Sequence, residues 1–499
     1  MNRSLLSFYL GVALLAFAQP VSSQVVLTLE ECREMALEKN PESKSAQEKV
    51  RAAGYDRKAA FSNYLPKVSL TGTYMHNSDN LKLMSDEQAE SLSQLGTGVA
   101  NQLNGFIQQM SADPTFQALY ASNPTLRYMI GALGQADIAT PLNAVGSSFA
   151  ENFTMDIQDV YAGVVSVQEP LFAGGKIRAY NKVTQYAQEL AEIQLDGTSQ
   201  KVLVTVDEAY WQIVSIANKL RLTERYVELL RTMDSNVEKM KNEGVATVSD
   251  QLSVRVRLNE AEMSQIKAQN GLLLSKMLLC QLCGLDLESD IVLADEASEI
   301  IDIPLDEFTY TDEDIEMNRP ELRSLDLAVK MYEGKADIVR ADFLPTLALT
   351  GNYIVTNPSM KNGFENKAAG MWNVGAVARI PVFHFGEGLN KYRRAKSDAI
   401  LAQYQLDEAR GKINLQISQY EQRIREAQSR MAMAEKTMEN AEENLRIADL
   451  GFAEGVVESS VVLAANAAWL KAHSEEIDAR IDCIMSKVYL RQAIGLLNK

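Results

Sequence analysis

The chain repeats itself, and the repeat limits what it can fold into more than any single motif does. Asn40-Pro41-Glu42 recurs as Arg319-Pro320-Glu321 at an offset of 279. The same offset carries Tyr64-Leu65-Pro66 onto Phe343-Leu344-Pro345, and Leu70-Thr71-Gly72-Thr73-Tyr74 onto Leu349-Thr350-Gly351-Asn352-Tyr353. Further on the offset is 211: Glu169-Pro170-Leu171-Phe172 answers Ile380-Pro381-Val382-Phe383, and Glu243-Gly244-Val245 answers Glu454-Gly455-Val456. The change of offset leaves 68 extra residues in the first copy, between Tyr74 and Tyr161. Self-similarity of this kind assigns the same supersecondary unit to both copies. The expected organisation is a first repeat over 24–284 with a large loop at 76–159, a linker over 285–311, and a second repeat over 312–499.

Each copy runs in the same order. A helix comes first, roughly 29–62 and 312–342, opened in the first copy by Thr28-x-x-Glu31 at capping-box spacing. A leucine-proline pair then stops it. Two strand-like segments follow, around a loop. On the outgoing segments Val68, Leu70, Gly72, Tyr74 and Leu347, Leu349, Gly351, Tyr353, Val355 alternate with small or polar residues. On the returning ones Tyr161, Gly163, Val165, Val167 and Trp372, Val374, Ala376, Ala378, Ile380 do the same. Period-two alternation over about nine residues marks a strand, and ~9–11 tilted residues cross a bilayer. Tyr74 and Tyr353 end the outgoing strands and Tyr161 and Trp372 begin the returning ones, so all four are expected at one loop-side level, as an interfacial aromatic girdle requires. Four strands cannot close a barrel alone, so a membrane reading needs several copies to share one.

After Pro170 and Pro381 no proline interrupts Gly175–Glu243 or Gly388–Glu454, runs that could each form a helix of roughly 100 Å. Met431, Ala434, Met438, Ala441, Leu445, Ala448 and Phe452 alternate spacings of three and four, a coiled-coil seam on which alanine permits close approach. The first run carries a looser version: Leu222, Tyr226, Leu229, Met233, Val237, Met240. At Gly244 and Gly455 the chain turns back into shorter helices near 249–283 and 459–495. The expected fold is mainly α, internally duplicated, with long antiparallel helical hairpins and four membrane β-strands per protomer in a shared barrel.

Charge and compartment narrow the function. Acidic side chains number 66 against 49 basic ones, a balance that excludes a phosphate-backbone footprint and so nucleic acid. Arg3, the apolar run Leu5–Phe17 and the short polar stretch to Ser23 have the order of a secretory signal, 1–23, cut before Gln24. Beyond it no apolar stretch is long enough for a spanning helix, so any membrane crossing must use a closed barrel. Cys280-x-x-Cys283 in an oxidising compartment allows a disulfide, but its place at the apolar end of a helix, outside any βαβ unit, reads as buried small hydrophobes. His76, His384 and His473 form no metal-spaced cluster, and no nucleophile elbow, phosphate loop or isolated carboxylate pair stands out. No catalytic, cofactor or metal site is expected. A secreted coiled-coil scaffold or adhesin would explain the helices but not the paired strands, the shared aromatic level or the prolines at both junctions.

These features together resemble the TolC-like outer-membrane efflux proteins. The resemblance rests on Leu27-Thr-Leu-Glu-Glu…Ala36-Leu-Glu-Lys-Asn-Pro-Glu42, the two Leu-Pro strand entries, Glu169-Pro-Leu-Phe-Ala-Gly-Gly175, the tip Glu243-Gly-Val-Ala-Thr-Val-Ser-Asp250 and the duplication. It implies a homotrimer in the outer membrane, most of its mass in the periplasm, serving as the exit channel of a tripartite efflux or type I secretion system. Its partners would be outer-membrane lipid, a periplasmic adaptor and an inner-membrane transporter. Pro66, Pro170, Pro345 and Pro381 would sit where helices become strands. The hairpin tips, with Gly244, Ser249, Asp250, Gly455 and Glu458, would form the closable entrance and the adaptor contact. Aspartates often follow the tip glycine in the family; Asp250 fits, whereas the matching second-copy positions hold Val461 and Ala464, and Glu458 stands nearer the glycine. Asp250 also suits a helix N-terminus on electrostatic grounds alone. The 68-residue excess would enlarge one outer loop, as a cap over the barrel mouth or as surface decoration, with helical spacing at Leu103, Phe106, Ile107 and Met110.

Overall fold

The computed structural model describes residues 25–298, 309–361 and 365–497. The expected signal segment and part of the 285–311 linker lie outside them. The chain divides into two compact units, each drawing on both copies of the repeat: Ser62–Gly174 with Phe343–Phe383 forms one, and the remainder forms the other.

In the helical unit, β1 (Val25–Leu27) leads into α1 (Leu29–Lys39) and α2 (Pro41–Phe61). The capping box forms: Thr28 N donates to Glu31 Oε2 at 2.8 Å and Glu31 N to Thr28 Oγ1 at 3.3 Å. The helix expected over 29–62 is two helices, because Pro41 at the first position of α2 forces extended backbone on Asn40 (ψ 131°). The second copy breaks in the same way, into α10 (Asp312–Asn318) and α11 (Pro320–Ala341) around Arg319.

The two proline-free runs form α8 (Lys176–Asn242) and α12 (Glu387–Ala453), 67 residues each. The short return helices, α9 (Val248–Leu282) and α13 (Ser459–Ala493), have 35 residues each. All four lie at the offset of 211, so the duplication holds to the residue, and a helix of this length spans ~100 Å. The proposed seam on α12 is real: Leu445 and Ala448 are buried and Met431, Ala434, Met438, Ala441 and Phe452 half-buried, while the positions between Met438 and Leu445 other than Ala441 are exposed. On α8, Val227 and Leu230 are buried beside the expected Tyr226, Met233 and Val237, which widens that stripe. The stripe is wider because one cluster holds both hairpins: Tyr226, Leu230, Met233 and Val254 of the first pack with Leu445, Val462 and Leu463 of the second.

A second cluster joins α1, the 202–214 stretch of α8, the ends of α9 and α13, and the two-stranded parallel pair of β1 with β6 (Ile291–Leu293). β6 lies within the expected linker. The repeated Asn/Arg-Pro-Glu motif gains a structural account here. Asn40 Nδ2 donates to the Leu282 carbonyl at 3.3 Å and Arg319 to the Gln492 carbonyl at 2.6 Å, so each motif closes the carbonyl end of its own copy's return helix. Those last carbonyls have no partner within the helix, and the arginine adds a charge that the helix dipole favours.

The other unit is a four-stranded antiparallel sheet with a helical insertion. Its strands are β2 (Lys67–His76), β5 (Asp159–Ala173), β7 (Thr346–Asn357) and β8 (Ala369–Arg379), paired in that order. The insertion carries a small ribbon, β3 (Leu81–Lys82) with β4 (Thr154–Met155). Between these strands lie α3 (Asp86–Ser93), α4 (Leu95–Ala112), α5 (Pro114–Ser122), α6 (Pro124–Gln135) and α7 (Ala139–Asn152). The expected helical spacing at 103–110 falls inside α4. α7 lies so close to α3 and α4 that a Cβ on Gly146 would come within 1.8 Å of the Leu92 carbonyl oxygen, and one on Gly96 within 2.3 Å of that of Ala139.

Candidate functional site

The sheet brings its apolar positions to one face across all four strands. Val68 stands opposite Val167, Leu70 opposite Val165, and Tyr74 opposite Tyr161. Val165 then stands opposite Tyr353, and Tyr353 opposite Trp372, with Gly351 facing Val374 and Leu347 facing Ala378. This face is bare: Leu70 is 78% exposed, Val374 73% and Trp372 75%. The opposite face is mixed: Ser69, Thr71, Thr73, Ser166, Thr350, Asn352 and Asn373 lie on it, with Asn352 Nδ2 donating to Asn373 Oδ1 at 2.9 Å, but so does the apolar row Val164–Ile354–Met371. The first face suits hydrocarbon, and the second is the more polar of the two.

The four aromatics form two cross-strand pairs. The Tyr74 and Tyr161 rings lie 5.0 Å apart, and Tyr353 stands directly opposite Trp372. The pairs are staggered, because Tyr161 is opposite Asn357 whereas Tyr353 is opposite Val165, four residues along β5. A common level thus depends on strand tilt. Three of the prolines flank strands: Pro66 and Pro345 immediately precede β2 and β7, and Pro381 follows β8. Pro170 departs from the expected helix–strand junction, since it lies inside β5 where the pairing with β7 slips between Pro170 and Phe172. Having no N–H to give the ladder, proline is accommodated at such a bulge.

At the tips of the hairpins, Gly244 (φ 79°) and Gly455 (φ 73°) take the left-handed conformation that ends a helix and reverses the chain. The first tip is closed by a capping box. Thr247 N donates to Asp250 Oδ2 at 2.8 Å and Asp250 N to Thr247 Oγ1 at 3.2 Å. Ser459 Oγ also donates to Asp250 Oδ1 at 3.4 Å, which sets the second tip beside the first. The Thr247 hydrogen bonds hold the Asp250 carboxyl below its ordinary range, with a smaller push from Ser459 in the same direction. Asp250 therefore strengthens the tip above the ordinary carboxylate pKa, and that contribution is lost as pH falls through its lowered value. Glu458, the cap residue of α13, makes no side-chain cap bond, so the two tips differ in local strength. Ser249 is exposed in the first turn of α9 and its carbonyl accepts from Ser253 Oγ at 2.9 Å. Thr247→Ala should cost about 1 kcal/mol locally, read as faster amide exchange at 248–254 with exchange at 459–465 little changed.

Sequence reading missed one buried polar pair. Arg33 Nε and Nη2 donate to the two carboxylate oxygens of Asp207 at 2.7 and 2.6 Å, and the Asp207 side chain is fully buried. The residues lie 174 positions apart, and no periodicity connects them. All four cysteines are buried, and no disulfide links them in this structure. Among the described residues no His, Cys, Asp or Glu group could hold a metal ion.

A family model described as outer membrane efflux protein matches residues 140–285 and 313–496, well over half of the chain. The protein belongs to the outer membrane efflux protein family.

Relatives and folds agree with that membership. The alkaline protease secretion protein AprF of Pseudomonas aeruginosa is 27% identical over 416 residues, covering 80% of this chain and 85% of AprF. The outer membrane protein TolC of Vibrio cholerae is 20% identical, covering 62% of this chain and 71% of TolC. Among solved structures, the outer membrane protein VceC of Vibrio cholerae superposes with a TM-score of 0.66 at 16% identity, over 94% of this chain and 96% of VceC. The CmeC outer membrane channel of Campylobacter jejuni gives 0.68 at 16% identity, over 94% and 86%. This outer membrane efflux protein is thus an outer-membrane channel component and not an enzyme, with the TolC-like fold that the resemblance implied.

Proposed function

We propose that this outer membrane efflux protein is a passive exit conduit, assembled as a homotrimer and fed by a periplasmic adaptor and an inner-membrane transporter. The observation that carries the reading is the sheet. One face is apolar and exposed across all four strands, and within the chain β2 and β8 each pair on one side only. In hydrocarbon an unpaired strand edge leaves backbone groups unsatisfied, so β8 of one copy must pair with β2 of the next until the ring closes. Head-to-tail contacts that close make a cyclic oligomer, and three copies give a twelve-stranded barrel with the Ser/Thr/Asn face lining the lumen. Tyr74, Tyr161, Tyr353 and Trp372 then serve as the outer girdle, their stagger taken up by strand tilt, and the insertion helices stand at that end. The four prolines mark the sheet's ends and its bulge.

The hairpin tips are the gate and the adaptor contact in this reading. Gly244 and Gly455 turn the chain, Asp250 and Glu458 supply charge at the entrance, and Ser249 lies on the same exposed turn. Partner binding pulls the tips apart, and the inner-membrane partner supplies the energy. AprF is named for protease secretion and TolC for neither drug nor protein, so the cargo class is left to the partner. Electron microscopy of the detergent-extracted mature protein tests the assembly. A three-fold cylinder with a helical stalk of ~100 Å and a short barrel is expected; a monomeric rod or a particle without a closed barrel would overturn the shared barrel and the conduit with it.

A further inference from the structure

The C-x-x-C spacing that stands out in the sequence does not bring its own two thiols together. Cys280 and Cys283 lie at the end of α9, and the Cys280 thiol turns toward the Ser289 carbonyl, 4.0 Å away. Cys283 meets Cys32 of α1 instead, 251 residues earlier. Its Sγ lies 3.6 Å from the Cys32 carbonyl oxygen, and the two thiols share a hydrogen bond. Both side chains are fully buried in the cluster that joins α1, α8, β1 and β6. That hydrogen bond pushes the Cys32 thiol well above its ordinary range and draws Cys283 below it, and Lys39 favours the Cys283 thiolate further. The fourth cysteine, Cys483, is buried in α13, away from this pair.

We propose that Cys32 and Cys283 form a disulfide in the mature protein, stapling the N-terminal β1–α1 segment to the carbonyl end of the first hairpin. The proposal rests on the reading above to the extent that it places the helical unit in the periplasm, where dithiols meet disulfide-exchange proteins rather than a reducing pool. The chemistry is exchange. The Cys283 thiolate attacks the disulfide of a donor oxidoreductase, expelling one donor thiolate and leaving a mixed disulfide. The Cys32 thiolate then attacks the Cys283 sulfur and expels the second donor thiolate. The two protein thiols thereby lose two protons and two electrons, and the donor disulfide is reduced to a dithiol. Because both sulfurs are shielded once packed, exchange runs before α1 docks, when the shifts of the packed pair do not operate and either thiol can attack first with the same products. Cys280, one helical turn away on the same chain end, keeps its thiol because its sulfur faces the 285–290 turn.

Two features make this pair a staple and not a redox switch. Neither sulfur is open to solvent after folding, and the residues it joins belong to one hydrophobic cluster, so closing the bond adds a covalent link to a contact that packing already makes. It also lies beside the Asn40 clamp on Leu282, which ties the same two segments.

The test is thiol counting on full-length protein isolated from the envelope, denatured at acid pH and alkylated with a maleimide-polyethylene glycol. Two modifications without reductant and four after reduction are expected, with a Cys32–Cys283 peptide in the unreduced digest. Cys280→Ser should give one modification without reductant, and Cys32→Ser or Cys283→Ser three each. Because the count is made on denatured chains, and the wild type alone decides it, a variant that folds poorly does not spoil the result. Four modifications in unreduced wild-type protein recovered from outer-membrane fractions would overturn the disulfide while leaving the conduit intact. Four free thiols in protein recovered from the cytoplasm would overturn the localisation and the disulfide together.

Discussion

Locking the hairpin tips should stop export. Replacing Asp250 and Glu458 by cysteine puts one new thiol on each tip, on turns held by Gly244 and Gly455. On oxidation, export by the intact envelope assembly should fall to the level of cells lacking the protein, at least about tenfold if conduction needs the tips apart, and a reductant should restore it. The single variants Asp250→Cys and Glu458→Cys should each export to the same extent with and without oxidant, which sets the level that the reduced double variant is compared with. Non-reducing gels are part of the reading. Asp250 already contacts Ser459 of its own chain at 3.4 Å, so a bond within one protomer leaves mobility unchanged, whereas bonds between neighbouring tips give covalent oligomers. Loss of export should track the oligomeric product. Full cross-linking between protomers with undiminished export would sink the gate.

The second large effect lies far from the tips, at Arg33. Its guanidinium holds both oxygens of Asp207, whose side chain is fully buried. Burial alone pushes the Asp207 carboxyl up, Arg33 pulls it back down, and the net shift is upward; Arg33 in turn is held charged by Asp207. Arg33→Ala should destabilise the helical unit by about 3–5 kcal/mol, since it strands a buried carboxylate. The loss should appear as amide exchange through 202–214 of α8, where the cluster around Asp207 is centred. Replacing both partners, Arg33→Met with Asp207→Leu, should recover most of it. The sign of the pH dependence separates this from a packing defect. With its folded pKa raised above the unfolded value, Asp207 binds a proton more readily folded than unfolded. The variant should therefore regain stability as pH falls toward the ordinary carboxylate range, ~4. Equal loss at all pH values, or no recovery in the double variant, would exclude the buried charge as the cause.

Some residues of the candidate site were plain in the sequence. The face that Tyr74 and Trp372 take could be read because alternation fixes it, and chain order put Tyr74 near the end of β2, whereas β8 begins at Ala369, three residues before Trp372. Gly244 and Gly455 could be placed at turns because each ends a long proline-free helical run. The capping box at Thr28 was visible for the same local reason, and the equivalent box at Thr247 shows that Asp250 is a helix cap as well as a charge at the tip. Pro170 was misplaced because its location depends on how β5 meets β7, and that bulge is a property of the pair.

The sequence by itself determined the duplication, the lengths of α8 and α12, the apolar face of each strand and the two tips, since all of these are written in the spacing of neighbouring residues. Only the tertiary structure decided that β5 pairs with β7 across the two copies, and that the aromatics stand as two staggered pairs. It alone decided that Asn40 and Arg319 clamp the return helices, that Arg33 meets Asp207, and that Cys283 faces Cys32 rather than Cys280. Periodicity tells a residue which side of its own element it occupies. It carries no record of which distant element will come to lie against that side, because that choice is made by packing the whole hydrophobic cluster at once.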